Sequence, residues 1–322
     1  MLNIFSHSLA ILSHLNTTIH SLNPPSPNPP LTLPLTTPPL PIHSHNDYLH
    51  PHPLSSALLT GCTSLEADIW SFPSTPELYI GHDARSLSHT HTLRSVYLDP
   101  LTTLLSNAQQ QNGTLAVWQQ NPTQSLVLLI DYKTNGRLIH PLVLQQLEPL
   151  KEKRWLTIYA PDTGVVRGPL TIVVTGDVPI DLVVSNLSER YIFLDAPLNR
   201  LEDFESEEEA DKTRFNTTNS VYASANFRKT IGWPDWRGEL SETQLALLRK
   251  QIAAAESRGL RARFWGVPNR PVWLRDRVWE VLVREGVHVL SGDDLGGMVR
   301  AIRGSAETGM VDEKEKKEKE EL

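Results

Sequence analysis

The chain carries the run SLEADIW at Ser64–Trp70, in which apolar residues alternate with two carboxylates. Glu66 and Asp68 are two residues apart, so on a β-strand both side chains point to the same face. Two carboxylates that converge inside a protein are costly unless a cation neutralises them. The run therefore predicts a fold in which polar strand ends converge on one site.

Further apolar runs of strand length accompany this one, and helical runs separate most of them. The helical run Ser241–Arg258 opens with a Ser-x-x-Gln capping box and stops at Gly259, and Val272–Glu285 ends in a similar way at Gly286. The candidate strands, in chain order, are Leu40–His45, Ser64–Trp70 continued by Leu78–His82, Ser125–Lys133, Leu170–Gly176, Tyr191–Asp195, Ser220–Ala225, Arg261–Val267 and His288–Ser291.

The alternation of strand and helix, with continuously apolar strands, is typical of a parallel sheet covered by helices. Eight such units over about 260 residues match the usual size of a (β/α)₈ barrel. We therefore predict an α/β fold made of a single TIM-type barrel. Periodicity alone leaves an open doubly wound sheet as the alternative, although no glycine-rich phosphate loop follows the first strand.

Three zones of the chain differ in composition. Residues 1–40 form a Pro/Ser/Thr-rich N-terminal arm, residues 41–303 contain the barrel, and residues 304–322 form a charged tail. We expect the arm to be disordered and the charged tail to be solvated, and both to be dispensable for folding, because they lack the apolar periodicity that a packed core requires. A chain of residues 38–303 is accordingly expected to unfold at nearly the temperature of the full chain.

The net charge of −7 over 322 residues gives no electrostatic reason to expect a nucleic-acid partner. The single cysteine, Cys62, excludes an intrachain disulfide and is expected to be buried. No apolar run reaches the length of a transmembrane helix. No Lys or Arg precedes Arg85, so neither a signal peptide nor a transit peptide is convincing. The compartment stays open, the secretory pathway included, as does the oligomeric state.

Ionisable residues follow four successive apolar runs, and in such barrels functional residues gather at the C-terminal strand ends. Glu66, Asp68 and Asp131 would supply three oxygen donors to one cation. Three carboxylates without a cysteine suit a hard ion, Mg²⁺ first, with Ca²⁺ or Mn²⁺ as alternatives. Lys133, two residues beyond Asp131 on the same face, would contact a phosphate oxygen.

His45 and His82 would flank this cation site. A phosphodiester has an attacking and a leaving oxygen on opposite sides of phosphorus. Two imidazoles, one acting as base and one as acid, meet that demand near neutral pH, while the cation neutralises the non-bridging oxygens. The ordered set of His, Glu-x-Asp, Gly-His and Asp-x-Lys therefore predicts a metal-dependent phosphoric diester hydrolase or transphosphodiesterase.

These motifs resemble the fungal altered inheritance of mitochondria protein six family, which lies within the superfamily of phospholipase-C-like phosphodiesterases. That superfamily includes glycerophosphodiester phosphodiesterases and sphingomyelinase-D-like toxins. The resemblance spans about residues 41–297, and it implies a phosphodiesterase barrel with Glu66, Asp68 and Asp131 as metal ligands and His45 and His82 as the acid/base pair. The segments that carry it are His43–Tyr48, Ser64–Asp68, Leu78–His82, Asn121–Lys133 and Phe264–Pro268.

The family does not supply a substrate. Asn46 stands where glycerophosphodiesterases usually carry an Arg after the first His, which favours the toxin-like branch. Asn46 and Trp265, at the end of the seventh strand, are candidates for substrate contact together with Lys133. We expect a phosphodiester substrate, and a lipid in particular.

Two other functions stay open. His43-x-His45 is the pattern that two-zinc amidohydrolases use, but such enzymes also need histidines on later strands, and only His140 and His288 follow His91. The second alternative is a non-catalytic barrel that binds a lipid headgroup or a partner. Asp293 and Asp294, after the last strand, could cap a helix or touch the substrate.

Overall fold

The computed structural model describes residues 31–73, 75–113, 115–185, 189–204 and 215–305. The strands, in chain order, are β1 (Leu40–Ser44), β2 (Cys62–Trp70), β3 (Tyr79–Ile80), β4 (Leu126–Tyr132), β5 (Ile158–Ala160), β6 (Gly164–Val166), β7 (Leu170–Gly176), β8 (Ile192–Pro197), β9 (Ser220–Asn226), β10 (Arg261–Trp265) and β11 (Val289–Gly292).

A closed parallel barrel is formed by β1, β2, β4, β7, β8, β9, β10 and β11. Closure is direct, because β1 pairs in parallel with β2 on one side and with β11 on the other. The predicted (β/α)₈ barrel is therefore confirmed, and the open doubly wound sheet is excluded. The short strand β3 adds antiparallel to β2, outside the barrel.

Helices connect the barrel strands on the outside. The capping box predicted at Ser241 is present, and the chain leaves that helix through Gly259 at φ +69°. A π-helical turn at Arg94–Leu98 leads into the second helix. The helices are α1 (Ser55–Thr60), α2 (Asp99–Asn112), α3 (Gly136–Glu152), α4 (Ile180–Val184), α5 (Phe227–Thr230), α6 (Glu242–Glu256), α7 (Val272–Arg284) and α8, which covers residues 295–305.

The two faces of β2 show how the barrel separates apolar from polar surroundings. Leu65, Ala67 and Ile69 are fully buried and belong to the main core between the strands and the helices. Glu66 and Asp68 alternate with them and point into the barrel. A separate apolar cluster fills the barrel interior, so the polar strand ends rest on it; its members are Val127, Leu129, Val173, Phe193, Tyr222 and Val289.

The last ten residues of the predicted arm pack on the barrel. Leu33 and Leu35 are buried members of the main core. The Leu35 N–H donates to the Val117 carbonyl at 2.7 Å, and the Leu35 carbonyl accepts from the Gln119 N–H at 2.8 Å. The expectation that a chain of residues 38–303 keeps its stability did not take these contacts into account, because the short alternation of Leu31, Leu33 and Leu35 lies among prolines. The domain boundary at residue 40 stays a prediction.

The rest of the arm, residues 1–30, and the tail from residue 306 onward lie outside the described residues, so the disordered arm and the solvated tail stay predictions. The β5–β6 hairpin was not anticipated, since its strands of three residues are too short to show alternation. Cys62 is buried, as expected. Within the described ranges, no helix is both long and apolar enough to cross a membrane.

We predict that Leu33→Ala and Leu35→Ala each lower the free energy of unfolding by about 2–4 kcal/mol, because each leaves a cavity in the core. Thr36→Ala, at the exposed position directly after Leu35, serves as the matched control. Urea unfolding of chains 31–305 and 38–303 provides the second measurement. The shorter chain should be the less stable, and equal midpoints would show that the segment contributes nothing.

Candidate functional site

Three carboxylates meet at the C-terminal end of the barrel. Glu66 and Asp68 come from β2, and Asp131 comes from β4, where it lies in register with Asp68. One oxygen from each of the three lies within 4.8 Å of the others. The structure thus brings together the three residues that the sequence assigns to a cation.

Asp68 is a buried carboxylate whose environment suits the binding of a cation. Burial, followed by the charge of Glu66, raises the pKa of Asp68 to about 6. Its Oδ2 atom accepts from Tyr48 at 2.8 Å and lies 3.0 Å from Lys133 Nζ. Its Oδ1 atom is buried and has no hydrogen-bond partner within the described part of the chain. A hard divalent ion would satisfy that oxygen, so the residues fit the group that they were predicted to hold.

Lys133 lies directly beside the cluster. Its Nζ atom is 2.5 Å from Asp131 Oδ2, and the two acidic neighbours raise the pKa of this amine despite its partial burial. The ammonium group therefore stays charged and neutralises part of the buried negative charge. It also lines the cavity above the carboxylates, where a phosphate oxygen would be within its reach.

His43 is fully buried beneath Glu66. Its Nε2 atom lies 2.9 Å from Glu66 Oε2, and its Nδ1 atom lies 2.7 Å from Ser64 Oγ. Burial, aided by the charge of Arg263, lowers the pKa of His43 to about 4, so the ring is neutral. Because a carboxylate only accepts, Nε2 carries the proton and Nδ1 accepts from the serine hydroxyl. Both ring nitrogens are thereby engaged.

His45 lies one pleat closer to solvent and faces the same carboxylate. Its Nδ1 atom is 2.7 Å from Asp293 Oδ1, and its Nε2 atom is 3.9 Å from Glu66 Oε2. Burial lowers the pKa of His45, but the charge of Glu66 and the hydrogen bond with Asp293 outweigh it and raise the pKa overall. Asp293 fixes the ring orientation and leaves Nε2 to face the cavity.

His82 approaches the cluster from the other carboxylate. Its Nδ1 atom lies 3.7 Å from Asp68 Oδ2, and the side chain is 62% exposed. The Trp70 indole N–H donates to the Gly81 carbonyl at 2.7 Å and so fixes the backbone just before His82. The two histidines thus lie near different members of the Glu66–Asp68 pair.

The loop after β1 is anchored by Asp47, which is completely buried. Its carboxylate accepts from Ser44 Oγ at 2.7 Å, from the Leu54 N–H at 2.7 Å and from Tyr97 Oη at 2.9 Å. Asn46, just before it, adopts a left-handed conformation at φ 48°. Asp47 therefore fixes the loop on which His45 and Asn46 are presented.

A cavity of ≈ 630 Å³ opens above the carboxylates. All the predicted site residues line it except Asp68, which lies buried beneath its floor. Trp265 is 39% exposed on its wall. Gly176 keeps the floor open, because a Cβ atom there would clash with Asp131 Oδ1.

Arg263 was missed by the sequence analysis. It is buried between two carboxylates, with Nη1 3.6 Å from Glu66 and Nη2 3.2 Å from Asp195. Its Nε donates to Ser224 Oγ at 2.8 Å. The available signal was the period of two on β10, which places Arg263 on the same face as Trp265. The ends of β8 and β9 also contribute polar groups to the site through Asp195 and Ser224.

The two acidic residues after β11 have separate tasks. Asp293 orients His45, as described above. Asp294 accepts from the Gly297 N–H at 2.9 Å at the start of α8, and it pairs with Arg275 at 2.7 Å. The helix-capping interpretation therefore holds for Asp294, and contact of Asp293 with the substrate stays a prediction.

A family model described as an AIM6-like phosphodiesterase domain matches residues 34–195. The altered inheritance of mitochondria protein 6 homolog of Arthroderma benhamiae is 34% identical over 271 residues, which cover 80% of this chain and 82% of that protein. The chain belongs to the altered inheritance of mitochondria protein 6 family.

Other members of this family show the same level of similarity. The Eremothecium gossypii protein is 33% identical over 79% of this chain and 67% of its own length. The Saccharomyces cerevisiae protein is 30% identical over 79% of this chain and 67% of its own length.

A solved structure is similar in fold. It is a glycerophosphoryl diester phosphodiesterase from Parabacteroides distasonis, with a TM-score of 0.47 and 13% identity, and the match covers 84% of this chain and 87% of that one.

The zinc alternative fits the site poorly. Among the described residues, the group that could hold a metal ion consists of carboxylates alone. His43, which that alternative needs as a ligand, has both ring nitrogens in hydrogen bonds with Ser64 and Glu66. A site of carboxylate oxygens favours a hard ion over zinc.

We predict that Asp68→Asn abolishes Mg²⁺ binding measured by titration calorimetry. We also predict that, after chelation, the unaltered chain binds Mg²⁺ better than Zn²⁺. In EDTA, the same variant should unfold at an equal or higher temperature, because it removes a buried carboxylate whose charge is unfavourable. Asp162→Asn, at an exposed position, is the control. Tighter Zn²⁺ binding that depends on His43 would contradict the oxygen-lined assignment.

A second prediction follows from His43. Its folded-state pKa of about 4 lies below the ordinary 6.5, so below pH 6.5 the unfolded chain binds the proton more strongly. The contribution of His43 to stability is therefore present above pH 6.5 and is lost as the pH falls towards 4. We predict that the metal-free His43→Gln variant does not lose this contribution to stability as the pH falls from 6.5 towards 4. Parallel curves of unfolding free energy against pH for the two proteins would contradict it.

Proposed function

We propose that this chain is a metal-dependent phosphoric diester hydrolase or transphosphodiesterase. The observation that carries the proposal is the placement of two histidines beside one carboxylate cluster, with His45 next to Glu66 and His82 next to Asp68. Membership of a phosphodiesterase-domain family supports it. Glu66, Asp68 and Asp131 would hold the cation, with Mg²⁺ as the first choice and Ca²⁺ or Mn²⁺ as alternatives. When bound, the cation would neutralise charge on the non-bridging phosphate oxygens.

The roles of the side chains follow from their positions. His45 Nε2 takes the proton from the attacking hydroxyl, and the hydrogen bond with Asp293 stabilises the imidazolium that results. As the new P–O bond forms, the bond to the leaving oxygen breaks. His82 gives its proton to that oxygen. Lys133 and Asn46, both on the cavity wall, hold the phosphate oxygens, and Trp265 covers one side of the substrate.

We further propose that the substrate is a lipid phosphodiester. The cavity opens at the end of the barrel rather than inside it, so a headgroup can enter while its acyl chains remain outside. The exposed indole of Trp265 lies at that opening. Because the attacking hydroxyl can belong to water or to the substrate itself, the product is either an open monoester or a cyclic phosphate, which ³¹P NMR distinguishes.

The two histidines provide the test. We predict that His45→Ala and His82→Ala each lower turnover of a lipid phosphodiester in Mg²⁺ by roughly 10² to 10⁴-fold, the usual effect of removing a positioned acid or base. Mg²⁺ affinity should change little in either variant. A diester with a nitrophenolate leaving group needs no proton donor and should rescue only His82→Ala.

His43→Ala is the internal comparison and should show a milder loss, since its ring lies below the cavity and does not line it. If His43→Ala were inactive and His45→Ala nearly normal, the assigned base would be wrong. If all three variants stayed active, the phosphodiesterase assignment itself would fail.

A further inference from the structure

One edge of the barrel mouth is unusually rich in exposed tryptophan. The chain has eight tryptophans, and Trp233, Trp236, Trp265 and Trp273 are the exposed ones, at 57%, 79%, 39% and 53%. All four lie between the end of β9 and the start of α7. Trp265 belongs to the cavity already described. The other three, with Val272 at 48% exposure, form a surface that we call the tryptophan rim.

Hydrogen bonds and packing hold the loops that form the tryptophan rim in place. In the loop after β9, the Asp235 carboxylate accepts from the Arg237 and Glu239 N–H groups at 2.8 and 2.9 Å, which fixes the turn that presents Trp236. This turn packs on the start of α7, since a Cβ atom at Gly238 would lie 3.2 Å from the Trp273 ring. The loop that carries Trp233 and Trp236 thus packs against the helix start that carries Trp273.

Cationic side chains are interleaved with these indoles. The Arg228 guanidinium lies 5.5 Å from the centre of the Trp233 ring, and that of Arg237 lies 4.6 Å from the Trp236 ring. In segments 226–240 and 268–277, Arg275 is buried and pairs with Asp276 and Asp294, and Arg277 pairs with Glu280. The other four basic residues there outnumber the two other acidic ones, whereas the whole chain has a net charge of −7. The rim is therefore locally positive on an acidic protein.

Exposed indoles beside arginines are suited to the boundary between water and lipid. An indole places its apolar ring among the upper acyl chains and its N–H among the headgroups, and arginine binds phosphate while its stem stays on apolar surface. A protein partner would bury the indoles equally well, but it would not require the excess of positive charge around Trp233 and Trp236. Anionic lipid headgroups do give that reason.

We propose that the tryptophan rim docks on a bilayer surface that contains anionic phospholipid and brings the cavity to the substrate. This inference deepens the proposed function, because the choice of a lipid surface rests partly on a lipid phosphodiester as substrate. Arg228 links the two features, since it stacks on Trp233 and also lines the cavity. A lipid held at the rim would have its headgroup beside the carboxylates.

The test is vesicle binding by the full chain. Phosphatidylcholine vesicles with phosphatidylserine should bind it, with a blue shift of tryptophan emission, and salt or the omission of phosphatidylserine should weaken binding. The double variant Trp236→Ala/Trp273→Ala should bind about tenfold more weakly or worse, because two interfacial anchors are lost. Val165→Ala/Val166→Ala removes exposed apolar groups from the hairpin, away from the mouth, and should bind normally.

Turnover of a soluble aryl phosphodiester separates this inference from the proposed function. Trp236 and Trp273 do not line the cavity, so their double variant should keep that turnover and lose turnover of vesicle lipid only. Unaltered binding by the double variant, or no binding of the unaltered chain to any vesicle, would overturn the rim as a lipid surface while leaving soluble turnover intact. Vesicle binding without turnover of any diester would instead remove the proposed function and keep the rim.

Discussion

The buried negative charge of Glu66, Asp68 and Asp131 is the constraint on which the rest of the site depends. A carboxylate loses its hydration when it is buried, and a protein tolerates it only with a counter-charge and hydrogen bonds. Each carboxylate here is at least partly compensated. Glu66 has Arg263, His43 and His45. Asp131 and Asp68 share Lys133, and Asp68 still keeps one oxygen without a partner in the described chain. The unmet requirement of Asp68 is what points to a cation.

The buried charges are compensated inside the barrel as well as at its mouth. Arg263 is only 2% exposed, so its charge is acceptable because carboxylates lie on two sides of it. The apolar cluster lies directly below these charges, and its low polarity strengthens the charge interactions above it. Within β4 the change is abrupt, since Leu129 belongs to that cluster and Asp131, two residues later, belongs to the site.

The sequence was sufficient for those parts of the molecule that are encoded locally. Strand and helix alternation predicted the barrel, and polar residues after apolar runs predicted the carboxylates and histidines that the structure brings together. Arg263 was not predicted as a site residue. A basic residue in a strand is normally expected to face solvent, and only the closed barrel shows that this one is buried. Asp293 stayed ambiguous because its contact with His45 joins opposite ends of the chain. Leu33 and Leu35 were hidden by the prolines around them.

Closure of the barrel has a consequence for the order of folding. The first and last barrel strands are neighbours, and the His45 N–H donates to the Gly292 carbonyl at 3.0 Å. The pair His45–Asp293 joins residues separated by 248 positions, the kind of contact whose loop-closure entropy must be met late. During synthesis the carboxylates of β2 and β4 can assemble long before β11 emerges. The orienting partner of His45 arrives only with the final strand, so this imidazole acquires its fixed orientation when the ring of strands becomes complete.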